Sequence, residues 1–363
     1  MSAGNRILGV GVIGCGEVAQ VIHIPTLGFL SDRFRVTYLC DVSDNALEHA
    51  KSKVVGGVPK TTRDPQELCA SPDVDVVFVV NSTEYHADHA ILALQSNKYV
   101  LLEKPAAFNV RDLQRIKAAE KSSQGKVMVG YMRRYAAAFQ TAIKEIGGID
   151  KILYARVRDI IGPNSAFVSQ SGTFPKKFTD FRQEDSDDLK ARNTESVGIG
   201  LTECGAETSE GNRIFWQFLG SLASHDLSAM REVLGMPEGV FGASVTMPFW
   251  NVLFKYPGFN VSYESGIDNV PRFDAHITVY GSEKTVRIQY DTPYVKGLPI
   301  TVHVSENVNG VYKETTVRTT YEDAYTQEMR ELYDLVTLNK PVKTTIEDSE
   351  DDFKIFNMIM KAL

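Results

Sequence analysis

The sequence predicts an α/β chain in two parts, a doubly wound parallel sheet followed by an α+β domain with a large, mainly antiparallel, open-faced sheet. Three observations predict it. Strand-like and helix-like runs alternate through residues 6–132, as they do in successive βαβ units. A glycine turn joins the first of those strands to a helical run. Between 239 and 319, apolar residues recur at every second position, the period of a sheet with one covered and one open face. A chain of 363 residues also exceeds one ordinary core, which sets the expected domains at 1–132 and 133–363.

The strands of the first part are Ile7–Ile13, Phe34–Cys40, Val74–Val80, Tyr99–Leu102 and Val127–Tyr131, each nearly continuous in apolar residues. Such runs suit strands buried on both faces. Between them, Ala87, Ala90, Ile91 and Leu94 fall at i, i+3, i+4 and i+7, one face of a helix. A further strand is expected over 151–161. Residues 162–211 are polar and weakly periodic, and so are expected to form a functional loop or lid. A strong helical pattern runs from Arg213 to Gly235. In the strand-rich stretch, Phe273, Ala275, Ile277 and Val279 alternate with Asp274, His276, Thr278 and Tyr280. Two helical patterns, 321–339 and 346–361, close the chain.

Composition narrows the function classes. Hydrophobic residues make up 43% and charged residues 23%, values of an ordinary globular protein. The net charge of −7, with Lys and Arg dispersed, argues against nucleic acid as a direct partner. No apolar run reaches the roughly 20 residues of a membrane span, and no secretory leader is visible at the start. The four cysteines form no CxxC pair or disulfide framework, so a reducing cytoplasm is expected.

The glycine turn carries the first chemistry. Gly14-x-Gly16-x-x-Ala19 lies between a strand and a helix, where Gly14 permits the tight turn and Gly16 the approach of a pyrophosphate. The phosphates would sit on the amides that open the helix, at Glu17 and Val18. The second strand ends at Asp41, placed to hold the ribose hydroxyls and to repel a 2′-phosphate, which favours NAD over NADP. Its alternative role is to cap the helix that follows. Asn81, Ser82 and Thr83 end a strand at the same sheet edge, with His86 just beyond. His86 and His89 stand at i, i+3 with no third ligand in view, so no metal is expected.

The apolar strand Tyr99–Leu102 stops on Glu103-Lys104-Pro105. With "GVGVIGCGEVA", "HIPTL", "LCD", "NSTEYHADHAILAL" and "VMVGYMRRY", this stretch has the order and spacing of the Gfo/Idh/MocA oxidoreductases, and the chain resembles a branch of that family common in fungi. The resemblance extends through "SHDLSAMREVLG" to the closing helices. It implies an N-terminal Rossmann domain and NAD(P)-dependent oxidation or reduction of a sugar, polyol or related small molecule. It also implies a homodimer or homotetramer joined through the open sheet face. Glu103 and Lys104 would lie at the cofactor, and Lys104 would also reach the substrate. Pro105 in this motif is often preceded by a cis bond. A lysine there, beside the nicotinamide cation, would have a lowered pKa and be fit to relay a proton.

His225 aligns with the family's proton-transfer histidine, a role that suits imidazole. The family's aspartate four residues earlier is Ser221 here, a substrate contact without charge. Asp226 is a substitute acid that points elsewhere on the helix. The departure keeps a second reading open, a non-catalytic dinucleotide-binding sensor or transcriptional regulator of the same fold. His23 is either a site residue or a packing residue. Arg133 and Arg134 are candidates for substrate or domain-junction contacts. The aromatics Trp216, Phe218, Trp250 and Tyr294 are read as core.

Overall fold

In the computed structural model, which describes residues 6–363, the apolar runs of the first third form one parallel sheet. Its strands are β1 (Leu8–Ile13), β2 (Phe34–Cys40), β3 (Lys60–Thr62), β4 (Val76–Val79), β5 (Tyr99–Leu102) and β6 (Val127–Val129). The order is β3-β2-β1-β4-β5-β6, so the winding reverses between β1 and β4. Every residue of β1 and β4 is buried, because helices cover both faces. The sequence pattern missed β3, a three-residue edge strand with no buried position. The polar lead expected at the N-terminus lies, through residue 5, outside the described residues.

The first compact unit runs to Gly130 and also includes Thr173–Gly220 and Met329–Glu350. A single boundary at 132 therefore does not describe the contacts, since two later segments belong with the parallel sheet. One of them is seen directly where the amide of Val129, in β6, donates to the Thr344 carbonyl at 2.8 Å.

The expected loop over 162–211 is corrected. It holds a short helix, Asn164–Val168, and a 22-residue helix, Gln183–Cys204. Its pattern is faint because the first half is nearly all polar and only Ser196, Val197, Gly200, Leu201 and Cys204 are buried. Pairs one turn apart support that polar half, Gln183 to Asp187 at 2.9 Å and Arg192 to Asp188 at 2.8 Å.

The second unit comprises Tyr131–Gly172, Ser221–Glu328 and Asp351–Leu363. Its sheet has eight strands: β7 (Tyr154–Ile161), β8 (Gly239–Thr246), β9 (Phe249–Tyr256), β10 (Phe259–Ile267), β11 (Phe273–Tyr280), β12 (Lys284–Tyr290), β13 (Thr301–Val308) and β14 (Val311–Val317). They are ordered β14-β13-β12-β11-β7-β10-β9-β8, antiparallel except for the pair β7 and β10. The alternation predicted for β11 is present, with Ala275 and Ile277 fully buried and helices Ala137–Ile146 and Ser224–Leu234 among the packing partners of the sheet. On the other face, His276 and Thr278 are also buried, beneath a polar layer. In that layer Arg156 and Arg158 both pair with Glu264, and Arg158 also pairs with Asp274 at 3.0 Å.

Candidate cofactor site and the placement of the predicted residues

In the first unit a cleft of ≈ 500 Å³ opens beyond the carboxyl ends of β1, β2 and β4. This is the crevice where an open α/β sheet binds ligands. Gly14, Gly16, Asp41, Asn81 and Ser82, all candidates from the sequence, line it. Gly14 has φ +102°, and a Cβ there would meet the Asn81 backbone at 2.7 Å, so the turn admits glycine alone. Gly16 differs. A Cβ there would meet no protein atom within 4 Å, so no neighbouring atom of the fold demands glycine. What its absent side chain leaves open is the cleft. Glu17 and Val18 begin a helical run that passes through a π turn, Ala19–His23, into helix Ile24–Phe29.

Asp41 does more than face the cleft. Its Oδ2 accepts the amide of Cys15 at 2.7 Å, and its Oδ1 accepts the amide of Ser43 at 2.9 Å. Burial pushes its pKa up, and the backbone donors partly offset that. The following helix is capped by Ser43, whose hydroxyl accepts the Ala46 amide at 2.9 Å, so capping is not the role of Asp41. A carboxylate holds about four lone-pair sites, so acceptor capacity remains for a ligand's hydroxyls.

Asn81 donates to Nδ1 of His89 at 3.0 Å, while its own Oδ1 is buried with no partner. His89 is kept neutral chiefly by burial, with its pKa pushed down to about 4, and it stacks on Tyr85 with ring centroids 5.7 Å apart. The pair forms one wall. The far wall comes from Phe181 and from Asp185, Asp188 and Leu189 of helix Gln183–Cys204, and Arg63 stands just past β3. The sequence marked the 162–211 stretch only as a functional loop or lid and did not single out these residues within it. The only hint was an aromatic residue followed by a dense acidic run.

Open glycine, unpartnered amide oxygen and free carboxylate lone pairs together fit the phosphates and ribose hydroxyls of a dinucleotide. Among the described residues, no group of three or more His, Cys, Asp or Glu side chains is placed to hold a metal ion.

Glu17, Val18, Thr83, His86, Glu103 and Lys104 are not among the residues that line the cleft. Thr83 opens a short 3₁₀ turn, Thr83–Tyr85, and is half-buried. His86 is fully buried, with Nδ1 2.8 Å from the Pro105 carbonyl and Nε2 3.1 Å from the Asn81 carbonyl. It ties together the loops that follow β4 and β5. Glu103 turns inward as well. Its carboxylate meets Nε2 of His23 at 2.8 Å and the Lys104 amide at 3.1 Å. Burial would raise the Glu103 pKa, but His23 and Lys104 bring it below the usual carboxylate range. His23, wholly buried and edge-on to Phe78, is thus a packing and pairing residue. Lys104 itself is half-buried, and its bond to Pro105 is cis.

The second unit holds the other predicted group. Ser221 is exposed within a π turn, Leu219–Ala223, and His225 is the second residue of helix Ser224–Leu234, half-buried. Asp226 points into the core, where Arg133 pairs with it and also with Asp159 at 3.2 Å. Burial pushes the Asp226 pKa well up. Arg134 pairs with Glu232. Both arginines are therefore buried partners of acids in their own unit. Trp216, whose indole donates to the Phe108 carbonyl at 2.8 Å, and Trp250 are core residues, whereas Phe218 and Tyr294 are half-buried.

Residues 8–131 match the model of the oxidoreductase family with the NAD-binding Rossmann fold, GFO_IDH_MocA. That segment of the chain carries the NAD-binding domain of the Gfo/Idh/MocA family. The chain is 31% identical over 167 residues to a myo-inositol 2-dehydrogenase of Thermotoga maritima, a match covering 45% of this chain and 49% of that protein. The chain thus spans no more than about half the length of the relatives it matches. Likeness of fold to solved dehydrogenase structures extends over both units. A myo-inositol 2-dehydrogenase structure from Lactobacillus plantarum superposes with a TM-score of 0.70 at 19% identity, over 98% of this chain and 97% of that one. A levoglucosan dehydrogenase bound to NADH and levoglucosan gives 0.71 at 17% identity, over 98% and 97%.

Proposed function

We propose that this protein is an NAD-dependent dehydrogenase or reductase acting on a CH–OH or carbonyl carbon of a polyol, sugar or related small molecule. The observation that carries the reading is Gly16, open onto a cleft bounded by Asp41 and Asn81. The inositol dehydrogenases among its relatives, and the levoglucosan dehydrogenase of the same fold, support the substrate class. When bound, the nicotinamide would accept or supply the hydride.

The chain's own residues then have separate tasks. Asp41 accepts ribose hydroxyls, and the amides after Gly14 receive the phosphates. His225 takes the proton from the substrate hydroxyl in oxidation and returns it in reduction. Lys104 contacts cofactor and substrate, and Ser221 offers the substrate a neutral hydrogen bond. We further read the protein as a cytoplasmic homodimer or homotetramer. The four buried cysteine thiols support the compartment, and the polar face of the eight-stranded sheet supports the assembly. No described helix is long and apolar enough to cross a membrane.

The test is a screen of inositols, sugars and keto-sugars with NAD and NADP, read at the nicotinamide absorbance band. Turnover on a polyol or sugar supports the reading. Tight dinucleotide binding with no turnover on any of them would favour the sensor instead, in line with the missing charge at Ser221.

A further inference from the structure

Among the described residues that line the cleft, Arg63 is the only Lys or Arg. It follows β3 directly, as Asp41 follows β2, and the two strands are neighbours that pair Cys40 with Thr62. The cation and the carboxylate therefore stand side by side at the sheet's carboxyl edge. A guanidinium there is the natural acceptor of a 2′-phosphate, because its fork of donors matches phosphate oxygens. In this chain it is occupied. Nη1 reaches Asp44 at 3.4 Å and Nη2 reaches Asp185 at 3.4 Å, while Nε is buried without a partner.

Asp185 arrives on helix Gln183–Cys204, outside the matched family segment, and its side chain is three-quarters buried. The same Oδ2 accepts the Arg182 amide at 2.9 Å, which holds the carboxylate in place at the start of its helix. Both contacts to Arg63 are long, so the guanidinium is neutralised without being locked. A phosphate could compete for it if the carboxylates were fewer.

We propose that Asp185 is a specificity residue: it occupies Arg63 and so denies that cation to the 2′-phosphate of NADP. Preference for NAD would then rest on two carboxylates, Asp41 repelling the phosphate and Asp185 masking its only cationic partner in the cleft. This inference rests on the dinucleotide reading above.

The test measures dissociation constants for NADH and NADPH by calorimetry on wild type, Asp185→Asn, Arg63→Gln and the double variant. Asparagine keeps an acceptor for the Arg182 amide, and circular dichroism checks that the helix is retained. Asp185→Asn is expected to raise NADPH affinity relative to NADH by about tenfold, with NADH itself changed by less than about threefold. Adding Arg63→Gln should erase that gain, which a mere loosening of the helix would not explain. Arg63→Gln alone should not improve NADPH binding. An unchanged ratio in Asp185→Asn, or a gain that survives loss of Arg63, overturns the assignment while leaving the dinucleotide site intact. Failure of the wild type to bind either dinucleotide overturns both readings.

Discussion

Asp41 accepts the amide of Cys15 at 2.7 Å, so the carboxylate that ends β2 also holds the middle of the glycine turn that follows β1. Recognition and scaffold share one side chain. Asp41→Ser is therefore expected to improve relative use of NADP, by removing repulsion, while weakening the binding of both cofactors. Asp41→Asn, which keeps an acceptor for one of the two amides, should lose less. Calorimetry with each dinucleotide separates the two effects, and an unaltered NAD-to-NADP ratio in Asp41→Ser would remove Asp41 from discrimination.

The two glycines of the turn should respond oppositely. The Cβ that Gly16→Val adds would meet no protein atom within 4 Å, so the melting temperature should stay within about 2 °C while dinucleotide binding is lost. Gly14→Ala places a Cβ on the Asn81 backbone at a positive φ, and should cost about 1–3 kcal/mol of stability in urea unfolding. Binding retained by Gly16→Val would contradict the phosphate assignment.

Glu103 holds His23 and the Lys104 amide at the end of β5. Its folded pKa is depressed, so its contribution is present above the ordinary carboxylate range and is lost as pH falls through the folded value. Glu103→Gln should cost about 1.5–3 kcal/mol at neutral pH, the scale of a charged hydrogen bond. The deficit should shrink in acid. Urea midpoints measured across pH check this, and a deficit independent of pH would show that the charge is immaterial.

Arg133 balances two buried acids in the second unit. Arg133→Gln leaves them unopposed and should destabilise by about 3–5 kcal/mol. The Asp226 pKa is already raised, and a raised carboxyl favours the fold below its unfolded pKa and loses that contribution as pH rises. The variant should therefore be least impaired in mild acid, as denaturation curves at several pH values would show.

On a verified substrate, His225→Ala should lower turnover by roughly 10²- to 10⁴-fold with cofactor affinity nearly unchanged. Lys104→Met should depress turnover with some loss of affinity, and the two effects should be less than additive. Ser221→Asp should move the pH–rate profile alkaline, because a carboxylate near the imidazole favours its charged form. Wild-type turnover in His225→Ala would shift the acid–base role to Lys104.

Sequence by itself determined the alternation of strands and helices, the glycine turn and Asp41, because these rest on local periodicity and on the stereochemistry of single residues. Burial on both faces makes β1 and β4 apolar throughout, and a turn at φ +102° admits glycine wherever it occurs. Tertiary structure alone decided which polar residues face the cleft. His86 and Glu103 lie in the matched motifs yet turn into the core, where carbonyls and His23 satisfy them. His89, Arg63 and Asp185 reach the cleft from separate elements. Helix Gln183–Cys204 left little trace in the sequence because it buries only a short patch of small and apolar residues. The pairing of its Asp185 with Arg63 joins residues far apart along the chain, and local periodicity carries no record of that.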